Sequence, residues 1–324
     1  MGMISADVMA PGARLLAFVT VSLAAFGCGA DEAGKEQERP FTLEIRVPDV
    51  PPNTEATQCI KVRLPNVGPM AIHRILNEIS SSSHHFVVST INESDAGDEQ
   101  LEPEDCEPFR APLFGAPLAI TQKRVDEYHT PPGVGYAITP NQMIHLELHY
   151  INRTEAPVDI VARTNLYPLA EGELEHEASV VVVGDLSVSI PPNSRHTSGP
   201  KFQAVPATLD GANFFALTGH THRFGTNVQV GTAQSLTGEV TPRYDLEHFV
   251  WDEPEVVTFS PAFQVPQGGG FTYSCSWHNP TPETITFGES ANKEMCFFWA
   301  YYYPRITTRT LLLNPVDKPA SVAQ

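Results

Sequence analysis

Positive charge is scarce in this chain. Lysine and arginine number 20 against 38 aspartates and glutamates in 324 residues, a formal net charge of −18, and no basic patch interrupts the acidic composition. A phosphate backbone would be repelled by such a surface, which excludes nucleic acid as a partner. Long helical patterns are missing as well, since no run keeps a 3.6-residue apolar period for long. The triple glycine at 268 to 270 has no helix pattern after it and so cannot open a phosphate loop. No hydrophobic run reaches the length of a membrane-spanning helix: the longest, LLAFVTVSLAAFG, follows Arg14 and stops at Cys28. Cysteines are few, five in all.

What is present is a turn-rich pattern. The 29 prolines and 22 glycines are spread along the length, and the apolar runs are short and rich in Val, Ile, Thr and Phe. FTLEIRV (41 to 47), CIKVRLP (59 to 65) and MIHLELHY (143 to 150) read as strands. Residues 73 to 91 read as two strands around a serine turn, and 92 to 108 as an acidic loop. Further strands are expected at 130 to 138, 157 to 164, 178 to 182, 185 to 190, 200 to 204, 213 to 222, 226 to 231, 255 to 259, 271 to 277 and 295 to 303. Many short strands in two groups predict an all-β protein of two β-sandwiches. Charge and glycine interrupt the apolar pattern near 169 to 177, which sets the expected domains at 41–171 and 172–315, with a tail at 316–324.

The N-terminus is a targeting segment. Residues 1–28, starting from Met1 or from Met9, end in Ala25-Phe26-Gly27-Cys28, and a polar linker, 29–40, follows. The segment resembles the lipobox of bacterial lipoproteins, which implies an exported protein lipidated at Cys28 and held at the membrane of the bacterial cell envelope, periplasmic or outer membrane. Export permits disulfides. Proximity along the chain pairs Cys59 with Cys106 and Cys275 with Cys296, out of three connectivities that four cysteines allow.

Histidines carry the candidate chemistry. His220 and His222 in FALTGHTHRFGT, two apart, share one face if the strand is regular, and they are either metal ligands or two ordinary histidines. In the strand 143 to 150, Ile144, Leu146, Leu148 and Tyr150 read as core. That leaves His145, Glu147 and His149 on a wetter face, with His145 expected in solvent. The adjacent pair His84 and His85 can serve one ion only at a strand end or bulge. With His149 they would make a three-imidazole set, and His220, His222 and Met295 a set of two imidazoles and a thioether. Soft thioether sulfur with imidazole selects copper over structural zinc.

The ordered motifs CIKVRLP (59 to 65), SHHFVV (83 to 88), PPGVGYAI (131 to 138), HLELHY (145 to 150), HTHRFG (220 to 225), TYSCSWHN (272 to 279) and KEMCFFWAYYYP (293 to 304) resemble the copper type II, ascorbate-dependent monooxygenases. The resemblance spans about 41 to 315. It implies two antiparallel jelly-roll-like β-sandwich domains side by side, with two copper ions facing each other across a solvent-filled cleft. An electron-transfer copper would sit on His84, His85 and His149, and an oxygen-activating copper on His220, His222 and Met295. It implies the same two disulfides, and as partners dioxygen, a small-molecule substrate and ascorbate or another one-electron reductant. Peptide-hydroxylating members carry an arginine where Thr218 stands, and polar residues after the Met-Cys pair where Phe297, Phe298 and Trp299 stand. Threonine cannot grip a substrate carboxylate as arginine does. The expected substrate is therefore apolar or aromatic, with Thr218, Phe297 and Trp299 as its contacts. Two other readings are a copper-binding or copper-sensing lipoprotein without turnover, and a zinc hydrolase built on HTH.

Overall fold

A computed structural model describes residues 39–108, 115–305, 311–313 and 316–317. The targeting segment with Cys28 and most of the tail lie outside them. In the first half, Gln100–Asp105, Thr54–Arg63, Met143–Asn152, Ser83–Ile91 and Gly115–Thr121 form one antiparallel sheet in that order. The facing sheet runs Phe41–Val50, Val158–Pro168, Met70–Ile79, Val134–Ile138, with Val125–His129 also on Met70–Ile79. Ile45, Ile75, Ile160 and Leu166 of this sheet share a core with Phe86, Val88, Leu146 and Leu148 of the other. The alternation read in MIHLELHY thus holds on its apolar side. Its other side differs from expectation: Glu147 is fully buried and His149 4% exposed, and His145 is half-buried.

The chain then pairs His176–Glu177 in parallel with Val134–Ile138 and enters the second half. There Val257–Phe263, Asn213–His220, Phe297–Tyr303, Ser179–Gly184 and Leu311–Leu312 make one sheet. Thr241–Asp245, Gly225–Ala233, Gly270–Asn279, Ser194–Ala204 and Val316–Asp317 make the other. The fold is all-β as expected; the helices described are the short turns Glu93–Ala96 and Ala207–Leu209. The acidic loop of 92 to 108 is in part the edge strand Gln100–Asp105. Gly115–Thr121, Val125–His129 and Thr241–Asp245 are strands that the sequence pattern did not announce, and 185 to 190 is a strand only at Ser189–Ile190.

The runs SVVVVG and FFWAYYY are nearly all apolar because their sheet is covered on both faces. Val181, Val183, Phe298, Ala300 and Tyr302 fill the second half's own core, while Val180, Val182, Trp299 and Tyr301 join the core of the first half. The two sandwiches thus share a buried wall. Asn213–His220 lies in that wall and carries a register shift between Phe214 and Ala216. The bulge changes the parity of the strand: Phe214 points into the second core, Phe215 and Ala216 toward the first. Four residues after Ala216 the same parity aims His220 at the first half.

Candidate metal centre

His84 and His85 leave a strand whose pairing to Met143–Asn152 shifts between Ser83 and His85, the irregularity that two adjacent histidines need to converge. His85 stands opposite His149 across the ladder. The ligand atoms of His84, His85 and His149 all lie within 4.8 Å of one another, and the three side chains are buried.

His220 closes the strand Asn213–His220, but His222 lies beyond it in a turn, so the HTH pair is not on one regular strand face as expected. The rings meet nonetheless, with centroids 5.1 Å apart. Two features hold the turn. Gly225 approaches Thr221 so closely that a Cβ there would stand 1.9 Å from its hydroxyl oxygen. Glu294, fully buried, accepts the backbone N–H of His222 at 2.8 Å, that of Phe224 at 2.7 Å and the indole N–H of Trp277 at 2.9 Å. Met295, the next residue, is 4% exposed. Burial pushes the Glu294 carboxyl up to about 7.

The expected solvent-filled cleft is closed. His84 lies 5.6 Å from His222 and 6.2 Å from His220, centroid to centroid, and His85 lies 6.5 Å from His220. The wall that the sandwiches share leaves no gap between the two sets: all five imidazoles are at most 6% exposed. Burial holds His84, His85 and His220 well below the ordinary histidine range and His222 down at about 4, so these rings are neutral, the form that ligates a metal.

Oxygen acceptors fix three of the tautomers. His220 Nδ1 donates to Gln122 Oε1, His149 Nε2 to Glu55 Oε1 at 3.2 Å, and His222 Nδ1 to the Lys293 carbonyl at 3.1 Å. The opposite nitrogens, His149 Nδ1 and His220 Nε2, are buried without a hydrogen-bond partner among the described residues, as is His84 Nε2. Buried bare nitrogens are rare unless something else occupies them. His149 and His220 are therefore oriented from behind and open in front, the outer arrangement that metal-binding histidines use. The Glu147 carboxylate lies 3.7 Å from His85 Nε2. Two of these outer contacts cross between the halves. Gln122 belongs to the first half and His220 to the second. Glu55, on Thr54–Arg63, also accepts from Ser290 Oγ at 3.1 Å and from the Ala291 N–H at 2.9 Å.

The disulfides Cys59–Cys106 and Cys275–Cys296 are both formed, as proximity and resemblance predicted. Cys59 also lies close to His145 and Glu147 in a second possible ligand group, but its sulfur is committed to Cys106. Of the expected substrate contacts, Thr218 is buried and donates its hydroxyl to the Glu255 carbonyl at 2.9 Å. Trp299 is buried with its ring 5.5 Å from His220, and Phe297 is half-buried opposite His220 in the ladder. Glu55, Gln122 and Glu294 were not foreseen. Glu294 had a signal, a carboxylate directly before the buried run MCFFWAYYY, whereas Gln122 had none.

Solved structures overlap this chain only loosely. PNGase F, a glycosylasparaginase from Flavobacterium meningosepticum, is 11% identical over 85% of this chain and 99% of its own, with a TM-score of 0.33. A chain of Sulfolobus turreted icosahedral virus is 9% identical over 83% and 92%, with a TM-score of 0.35. The major capsid protein P2 of bacteriophage PM2 is 11% identical over 82% and 97%, with a TM-score of 0.34. Overlaps this loose carry no argument. No curated protein matches the sequence. Residues 176–313 match the family model of the copper type II ascorbate-dependent monooxygenase C-terminal domain, a segment that holds His220, His222 and Met295. It is this segment, 176–313, that is similar to the C-terminal domain of the copper type II, ascorbate-dependent monooxygenases.

Proposed function

We propose that the protein is a dicopper monooxygenase that hydroxylates a C–H bond of a small apolar or aromatic substrate with dioxygen and ascorbate or a similar reductant. The observation that carries this reading is the meeting of five buried imidazoles from both halves, three of them hydrogen-bonded to an oxygen acceptor behind the ring. One ion is assigned to His84, His85 and His149, the other to His220, His222 and Met295.

Bound copper would supply one-electron redox chemistry and, at the softer thioether set, the activation of dioxygen. The residues do the rest. Gln122 and Glu55 hold protons on the far nitrogens of His220 and His149 and keep the near ones free for ligation, while the Lys293 carbonyl orients His222. Glu294 fixes the turn that carries His222 and the segment that carries Met295. The apolar wall around Trp299 excludes water from the His220 side. The rings of His84 and His222 meet across the halves, so ions held on the two sets would be joined through adjoining ligand rings. Trp299, beside His220, is the best placed of the three residues assigned to substrate. Export and lipidation at Cys28, with residence in the bacterial envelope, belong to the same proposal and rest on sequence alone.

The test is reconstitution with copper followed by oxygen uptake with ascorbate over a panel of apolar and aromatic compounds. Two ions per chain and substrate-dependent oxygen consumption are expected. Two bound ions with no substrate-dependent uptake would leave a copper-binding protein without turnover.

A further inference from the structure

Outside the ligand sets, Trp251 is one link from the histidine cluster to the protein's surface. His84 is the least buried of the five imidazoles, at 6% exposure. Its ring lies 5.5 Å from the ring of Trp251, a half-buried residue on a turn of the second half. The guanidinium of Arg153, an exposed residue of the first half, stands 6.0 Å over the same indole. Among the described residues Arg153 makes no hydrogen bond or ion pair of its own. Asp252 and Glu253 follow Trp251 and are exposed, so an anion approaching this turn depends on Arg153 to offset them.

A planar indole with a free guanidinium beside it suits a small planar anion: the ring stacks and the negative oxygen accepts from the guanidinium. We propose that Arg153 and Trp251 form the docking point of an anionic, planar one-electron reductant of the enediol class, with Trp251 conducting to His84. The inference rests on the dicopper reading above and specifies where its electrons enter. In each event Cu(II) gains one electron and becomes Cu(I). The ascorbate monoanion loses that electron, releases one proton to water and leaves as the ascorbyl radical.

The experiment uses the full chain loaded with Cu(II), its copper content measured before any reductant is added and its fold checked by thermal unfolding. Loss of the Cu(II) electron paramagnetic signal is followed without oxygen, using ascorbate or the non-anionic N,N-dimethyl-p-phenylenediamine. Arg153→Gln is expected to slow ascorbate about tenfold, the lower end of what local charge steering supplies, and to leave the phenylenediamine rate unchanged. Trp251→Leu is expected to slow both reductants. An unchanged ascorbate rate in Arg153→Gln overturns the docking point, and so does an equal slowing of both reductants by that variant. Absence of bound copper in the unaltered protein overturns the dicopper reading instead, and this inference with it.

Discussion

Two carboxylates serve the two histidine sets in opposite ways. Glu55 sits at the half-exposed rim of the first set, where the hydrogen bond from His149 holds its carboxyl down at about 2. Glu294 sits in the dry interior behind the second set, where burial raises it to about 7, although three N–H groups point at it. The first set needs little else, because strand register alone places His85 opposite His149. In the second set one histidine lies off the strand, and a buried acceptor replaces the missing ladder. A ligand set built on a sheet is held by backbone pairing, whereas one built on a turn needs a side chain to gather its amides.

Removing Glu294 should produce the largest effect. Glu294→Ala leaves the N–H groups of His222, Phe224 and Trp277 buried without an acceptor. At roughly 1 to 3 kcal/mol for each unsatisfied group, stability should fall by at least about 3 kcal/mol in urea unfolding. Copper analysis should show loss of the ion assigned to His220, His222 and Met295, with the other retained. Equal loss of both ions would erase the contrast between the sets.

The pH dependence of the metal-free protein comes next. Between the ordinary glutamate value of 4.5 and about 7, folded Glu294 keeps a proton that the unfolded chain has released. Its contribution is therefore full below about 4.5 and is lost as pH rises through about 7, by roughly 3 kcal/mol in all. Glu55 has the opposite sign, since its contribution is present above 4.5 and lost as pH falls toward about 2. Urea unfolding in the presence of a chelator should show both limbs, and Glu294→Gln should flatten only the alkaline one.

How much of this was legible in the sequence follows from the range of the forces involved. Strand alternation is a local property, so Ile144, Leu146 and Leu148 declared their core face, and Ser83-His84-His85 declared the need for a bulge. The wet face assigned to Glu147 and His149 was wrong because what covers it comes from residues distant in the chain, such as Ser290 and Ala291 against Glu55. The same holds for the expected cleft. Nothing in SVVVVG or FFWAYYY distinguishes a strand buried within one sandwich from one shared by two, and only the shared wall brings His84 to His222. The bulge after Phe214 has no glycine or proline to mark it, so the aim of His220 could not be read from spacing.

Gln122→Ala probes whether the sets are independent. The altered residue lies in the first half, yet it accepts the proton of His220 in the second. Copper affinity at the second set should fall about 10- to 100-fold, the usual cost of losing an outer hydrogen bond to a ligating histidine, with the first set unchanged in titration calorimetry. A loss at the first set instead would reverse the assignment of Gln122.

Glu55→Gln should have the smallest effect on stability. Glutamine keeps one carbonyl oxygen for His149 Nε2 or the Ala291 N–H, but it loses the charge and the second acceptor that Ser290 uses. The site is part-exposed, so the change in unfolding free energy at neutral pH should stay below about 1 kcal/mol. Its effect on the metal should be out of proportion: about tenfold weaker binding at the first set, because a neutral amide no longer fixes the His149 tautomer as firmly as a carboxylate. If the second set weakens by the same factor, then Glu55 acts by holding the two halves together through Ser290 and Ala291. The rim carboxylate would then be a clamp, closer in role to Glu294 than its exposure suggests.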